Sequence, residues 1–162
     1  MKKIGYLLLA VLLLAQFIRP AQITPGVEKR HDLIAMTQPD EELAKLLKTA
    51  CYDCHSDEPS YPWYASVTPM NWFLHRHITE GREHFNASQW GIGENWKRDH
   101  QAEEAAEMME KHAMPLDSYL WLHPEARLTD AQYKILQNWF TSLQDGSWPV
   151  EKARRKAAGE LR

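Results

Sequence analysis

Cysteine is scarce in this chain: two residues in 162, both inside one pentapeptide. A framework of several disulfides is therefore excluded, and a bridge between Cys51 and Cys54 would close too small a loop to stabilise much. A second cysteine pair and a His-x3-5-His are both missing, so a four-ligand structural zinc site lacks its usual donors. No run alternates like a strand beside a crossover helix, which removes the context of a thioredoxin-like dithiol. No internal repeat is present. Nor is there a surplus of positive charge, the formal net charge being −3, and nothing in it points to nucleic acid.

What is there is the pentapeptide Cys51-Tyr52-Asp53-Cys54-His55. In a CxxCH sequence the two thiols add across the vinyl groups of haem as thioethers, and the adjacent imidazole is held under the porphyrin to ligate iron. Two intervening residues let one short turn span both vinyls, and the histidine that follows is carried round to the iron. The motif predicts one covalent haem c on Cys51 and Cys54, with His55 as an iron ligand.

The longest apolar stretch, Ile4 to Ile18, is 15 residues long and is broken only by Gly5 and Gln16. As a helix it would rise roughly 22 Å, less than the ~30 Å hydrocarbon core of a bilayer, which suits the apolar part of an export signal. Small residues are poorly placed for cleavage, and no lipobox cysteine follows. Residues 1–19 therefore read as an uncleaved signal-anchor, with Lys2 and Lys3 in the cytoplasm and Arg19 outside, these side chains snorkelling to make up the length. A cleaved, periplasmic product is the alternative. Export and CxxCH agree, since c-type haem is attached on the outer side of the bacterial cytoplasmic membrane. Beyond Arg19 remain 143 residues, enough for one domain, with 16 basic against 22 acidic side chains.

The exported part divides into a tether at 20–36, a helical domain at 37–146 and a basic tail at 147–162. The tether carries Pro25-Gly26 and has no apolar period. Thr37-Gln38-Pro39-Asp40 suits a helix start, and Leu43, Leu46, Leu47 and Ala50 then form one apolar face that delivers Cys51 at its end. Ser56 to Pro69 reads as an ordered loop. Further helices are expected at about 70–84 and 93–111. The last begins in the capping box Thr129-Asp130-Ala131-Gln132, repeats Tyr133, Leu136, Phe140 and Leu143, and stops at Gly146. The fold class is all-α.

A second axial ligand is sought among the other histidines and the methionines. Met114 stands out in Ala113-Met114-Pro115, between the third helix of the domain and the last, the arrangement of the distal Met-Pro loop in class I cytochromes c. His112 is the first rival, followed by His77 and His84; Met108 and Met109 lie inside a helix and are discounted. A thioether ligand would raise the reduction potential and a second imidazole would lower it. Of the seven tryptophans, Trp72, Trp121 and Trp139 read as core aromatics. Trp63, Tyr64, Arg76, Arg82 and Trp90 are candidate contacts for the haem propionates.

With these residues laid out, the chain from about 20 to 145 resembles the small bacterial haem-binding domain family, exported CxxCH proteins similar in outline to class I cytochromes c. The matching stretches are Cys51 to Ser56, Tyr61-Pro62-Trp63-Tyr64, Glu80-Gly81-Arg82-Glu83 with Asn86 and Trp90, and Met114-Pro115 with Ser118-Tyr119, Leu122-His123-Pro124 and Leu128-Thr129. The resemblance implies a cytochrome c-like helical domain around one haem on Cys51 and Cys54, with His55 proximal, Met114 distal, and a retained anchor. The function expected is one-electron transfer between redox partner proteins on the periplasmic side of the membrane, with no enzymatic step. A haem-based sensor with a labile distal methionine, or an accessory to a cytochrome c peroxidase, is the alternative.

Overall fold

In a computed structural model the described residues are 2–22, 26, 28–144, 148, 149, 153, 156, 157 and 159, and among them there are helices, turns and no strand. The apolar segment forms α1 (Lys2–Ala15), none of whose side chains is buried. A short turn at Lys29–His31 leads into α2 (Leu33–Thr37), capped by Asp32, whose Oδ1 accepts from Ile34 N at 2.9 Å. This departs from the expected tether. Leu33 is fully buried and joins the hydrophobic core. One short turn of helix has too few positions to show an apolar period, which is why the pattern could not reveal it.

Gln38 adopts a left-handed conformation (φ 49°) that ends α2, and Pro39 cannot continue it. The cap of α3 (Glu41–Ala50) is therefore Asp40, which accepts from Leu43 N at 2.8 Å, while Thr37 belongs to the end of α2 and donates to Leu33 O. Leu43 and Leu47 are buried as the periodicity predicts. The one-turn helix α4 (Tyr52–His55) follows at once.

After the loop, with its turn at Trp63–Ser66, comes α5 (Met70–His84). A turn at Ala87–Gln89 precedes α6 (Asn95–Glu110), and the short α7 (Asp117–Leu120) and a turn at Pro124–Ala126 precede α8 (Asp130–Leu143). Both halves of the expected capping box are formed at Thr129 and Gln132. The expected stop at Gly146 lies outside the described residues, as does most of the basic tail, but Trp148 is buried in the core beside Trp90.

Helix α8 packs chiefly along α6, and the core joins Ala102, Ala106 and Met109 of α6 and Leu136 and Phe140 of α8 to Leu43 and Leu47 of α3. Each fully buried leucine contributes about 1.5–3 kcal/mol relative to exposure. The tryptophans are distributed otherwise than their pattern suggests. Trp90 is 1% exposed and is core, whereas Trp121 is 83% and Trp72 41% exposed.

The loop after α4 is fastened by Asp57, which is 3% exposed. Its Oδ1 accepts from Asn86 Nδ2 at 2.8 Å and from Arg82, its Oδ2 accepts from Gln89 Nε2 at 3.1 Å, and its N–H donates to Ser88 Oγ at 3.0 Å. Burial by itself would raise the carboxyl pKa, but the donated hydrogen bonds and the Arg82 charge outweigh it and hold the group below the ordinary aspartate value. A depressed folded-state pKa contributes stability above the unfolded value of 3.8 that is lost as pH falls through the folded one. Asp57→Ala is expected to cost about 3 kcal/mol at neutral pH by stranding Arg82 and two amides. The gap between urea melts of wild type and variant should narrow as the pH is lowered below 3.8; a gap that persists undiminished would contradict this assignment.

Candidate haem site

The end of α3 sets the geometry of the cysteine pair. Cys51 N donates to Leu47 O at 2.9 Å as the last bond of that helix, and Cys54 N and His55 N both return to Cys51 O, at 3.2 and 2.9 Å. One turn thus carries Cys51, Cys54 and His55. Burial, with the neighbouring Cys54 adding to it, pushes the Cys51 thiol up to about 12, and burial with Asp53 pushes Cys54 up to about 11. Both sulfurs are therefore protonated at neutral pH. Thioether formation adds each S–H across a vinyl double bond, a step that needs no oxidant and uses both thiols of the turn. Among the described residues no group of three or more His, Cys, Asp or Glu is placed to hold a metal ion.

His55 is held from behind. Its Nδ1 lies 3.0 Å from Phe85 O, and its ring packs against the Phe85 ring at a centroid distance of 5.6 Å. The carbonyl can only accept, so Nδ1 carries the proton and Nε2 presents its lone pair. Burial lowers the imidazole pKa despite the backbone hydrogen bonds that oppose it, so the ring is neutral. A neutral histidine whose second nitrogen donates to a carbonyl is the usual state of a metal-bound imidazole.

Gly81 makes this approach of α4 to α5 feasible. A β-carbon there would stand 3.1 Å from Cys54 O and 3.3 Å from His55 Cε1. A glycine inside a helix ordinarily costs about 1 kcal/mol relative to alanine, and here the missing methyl is the space that His55 uses.

The two intervening residues of the motif are also tied down. Tyr52 OH donates to Asp32 at 2.9 Å, and burial together with that carboxylate raises the phenol pKa. Asp53 accepts from Tyr119 OH at 2.7 Å and from Ser60 N at 3.1 Å. Tyr119 in turn stacks on His123 at 4.2 Å, and His123 Nε2 lies 2.7 Å from Tyr64 OH. The turn is braced from α2 on one side and from α7 on the other.

A cleft opens beside Cys54. One wall is the face of α5 formed by Met70, Phe73, Leu74 and His77, at spacing i, i+3, i+4, i+7; the other is Leu116 and Leu122, with Tyr64, Ser118 and Tyr119 supplying hydroxyls. Phe73 and Leu122 are 47% and 51% exposed, an apolar surface of the kind a porphyrin plate covers. Of the motif's residues Cys54 lines this cleft, while Cys51 and His55 stand on the same turn but outside its lining; thiols, a neutral imidazole and apolar walls are the chemistry that suits a haem.

The other sequence candidates are scattered. Met114 is half-buried against the hydrophobic core, in the loop that runs on to Leu116 of the cleft wall. His112 is exposed and stacks flat on Tyr133 at 3.9 Å, and His84 is exposed. His77 is the rival that lines the cleft, its Nδ1 lying 2.8 Å from Phe73 O. Of the expected propionate contacts only Tyr64 lines the cleft. Arg82 is bound to Asp57, Arg76 to Glu80, Trp90 is in the core, and Trp63 is 78% exposed. The roles of Phe85, Asp32 and Tyr119 were not assigned from sequence. A backbone carbonyl leaves no residue-type signal, and only the mid-helix glycine at 81 hinted at a close approach.

Gly81→Ala tests the packing behind His55. Helix propensity alone would make it stabilising; the contacts above are expected to cancel that gain and to lower haem content relative to wild type, read as haem per polypeptide in purified protein. A variant that is more stable by about 1 kcal/mol with full haem content would contradict the assignment.

Comparison with curated proteins and with solved structures gives no match. The family model described as haem-binding domain does match, over residues 10–142, a span that takes in the cysteine pair, His55, Gly81, the Asp57 clasp and both walls of the cleft. The chain belongs to the haem-binding domain family.

Proposed function

We propose that this haem-binding protein is an exported monohaem c-type cytochrome, held at the cytoplasmic membrane and facing the periplasm, that passes single electrons between redox partner proteins. The observation that carries the reading is the single turn on which two protonated thiols and a neutral, carbonyl-anchored imidazole lie together. Such thiols suit covalent attachment at Cys51 and Cys54, and His55 Nε2 suits the proximal position. Haem, when bound, would supply the one-electron couple. The chain's own part is to orient His55 through Phe85 O, to exclude water with Met70, Phe73, Leu116 and Leu122, and to offer Met114 as distal ligand from the loop before Leu116.

With His55 and Met114 both holding the iron, a bound haem would be left to carry electrons and the protein would be a carrier and not an enzyme. The soft thioether of Met114 would favour the reduced iron and a high potential.

Covalent attachment is tested on a denaturing gel. Wild type matured with a working haem-attachment system should keep a haem stain, and Cys51→Ala with Cys54→Ala should lose it; stain in the double variant would end the reading.

The distal ligand is tested optically. Met114→Ala should abolish the thioether-to-ferric-iron charge-transfer band at the red end of the spectrum, open the reduced haem to carbon monoxide and lower the potential, while His112→Ala leaves all three unchanged. If instead His77→Ala alone opens the site and Met114→Ala changes nothing, the iron is bis-histidine and the high-potential carrier is excluded.

A further inference from the structure

The one amide that interrupts the apolar N-terminal run has a structural use. Gln16 Nε2 donates to Thr68 O at 3.0 Å and Gln16 Oε1 accepts from Thr68 N at 3.0 Å, a reciprocal pair across 52 positions of sequence. Thr68 Oγ1 also donates to Ala15 O at 3.3 Å, and Trp72 Nε1 donates to Ile18 O at 2.9 Å. Thr68 is itself buried, and its hydroxyl accepts from Asn71 Nδ2 at 3.0 Å. The end of the apolar segment is thus joined directly to the start of α5. No length of free chain intervenes.

On the other side of this joint α1 is uncovered and, after Lys2 and Lys3, carries no charged side chain. Leu7, Leu8, Leu13 and Leu14 are 58–67% exposed, and no side chain of α1 is buried. A helix apolar all round is covered by lipid or by protein. At the joint itself Val67 is 42% exposed and Arg19 Nε donates to Gln16 O at 3.1 Å. An indole and an arginine at the end of an apolar helix are the residues that settle at a membrane–water boundary. No helix among the described residues is long and apolar enough to cross a membrane. With about 21 Å of rise in α1, the shortfall draws the helix end and whatever is bonded to it toward the bilayer.

We infer that the haem-binding domain is seated on the membrane rather than suspended from it, with the joint of Gln16, Ile18, Thr68 and Trp72 in the headgroup region and Val67 in contact with lipid. This rests on the reading of the N-terminal segment as an anchor. The occupant of the surface is the bilayer because the patch is continuous with α1: residues bonded to Ala15, Gln16 and Ile18 share the depth of those residues. Met70 and Phe73, which line the cleft with Cys54, stand on the same turn of α5 as Trp72. The cleft is therefore held at the membrane surface, and the redox partner is one that is itself retained there.

The experiment uses the full-length, haem-loaded protein in vesicles of phosphatidylethanolamine and phosphatidylglycerol, with photoreactive p-benzoylphenylalanine in place of Val67 or of Glu103, which projects from α6 with its side chain 71% exposed. Val67 should yield lipid adducts and Glu103 several-fold fewer. Gln16→Ala combined with Trp72→Phe removes three of the four bonds of the joint; it should lower the Val67 yield several-fold while the chain stays with the vesicles and the haem spectrum is unchanged. Equal lipid labelling at both positions, or a Val67 yield indifferent to the double substitution, would mean a roaming domain and would overturn the inference. Protein–protein adducts at Val67 in place of lipid would assign the surface to a second copy and overturn it as well. A chain that fails to associate with vesicles would remove the anchor reading itself, an outcome distinct from the others.

Discussion

The hydrogen bond between His55 Nδ1 and the carbonyl of Phe85 is the constraint on which the rest of this structure depends. It fixes which nitrogen carries the proton and leaves Nε2 with its lone pair, while burial, acting against the pull of this bond, keeps the ring neutral. It is also demanding. The ring must lie between α4 and α5 so closely that a β-carbon at position 81 would stand 3.1 Å from Cys54 O and 3.3 Å from His55 Cε1, and the end of α5 must be held where Phe85 O can be reached. Asp57 holds it: by binding Arg82, Asn86 and Gln89 it fastens the loop after the cysteine turn to the stretch that contains Phe85. Phe85 in turn packs on Trp90 and Phe140, so the histidine is supported through to the core shared by α6 and α8.

How much of this was legible in the sequence follows from the range of each interaction. The cysteine turn was readable because its chemistry lies within five consecutive residues, and α3 and α8 because their buried positions repeat within one element. The capping box at Thr129 is likewise local. Leu33 escaped notice, and Thr37 was read into the start of α3 although it ends α2, because α2 is too short for a period; the Asp57 clasp escaped because its partners are 25 to 32 positions away. Trp121 and Trp90 show the limit of composition. Trp121 read as core and Trp90 as a propionate contact, but only tertiary packing decides that Trp90 is core and Trp121 lies at the surface.

The variable residues of the motif carry more than their wildcard status suggests. Tyr52 reaches back to Asp32 and Asp53 forward to Tyr119, so the turn is clamped by segments that precede and follow it. Gln16 is a comparable case at the N-terminus, a polar interruption that reads as a flaw in an apolar helix and is in fact its bond to the domain. In both places a side chain that weakens the local pattern makes a long-range hydrogen bond, and the reduced local consistency marks where function or attachment is built.

The central claim is that His55 is an iron ligand whose orientation is set by the backbone of α5. A crystal structure of the haem-loaded protein tests it most directly. The account predicts iron on His55 Nε2, with Nδ1 still near 3.0 Å from Phe85 O and both cysteine sulfurs joined to the porphyrin. Iron held by other residues, with the His55 ring turned away from Phe85, would contradict it.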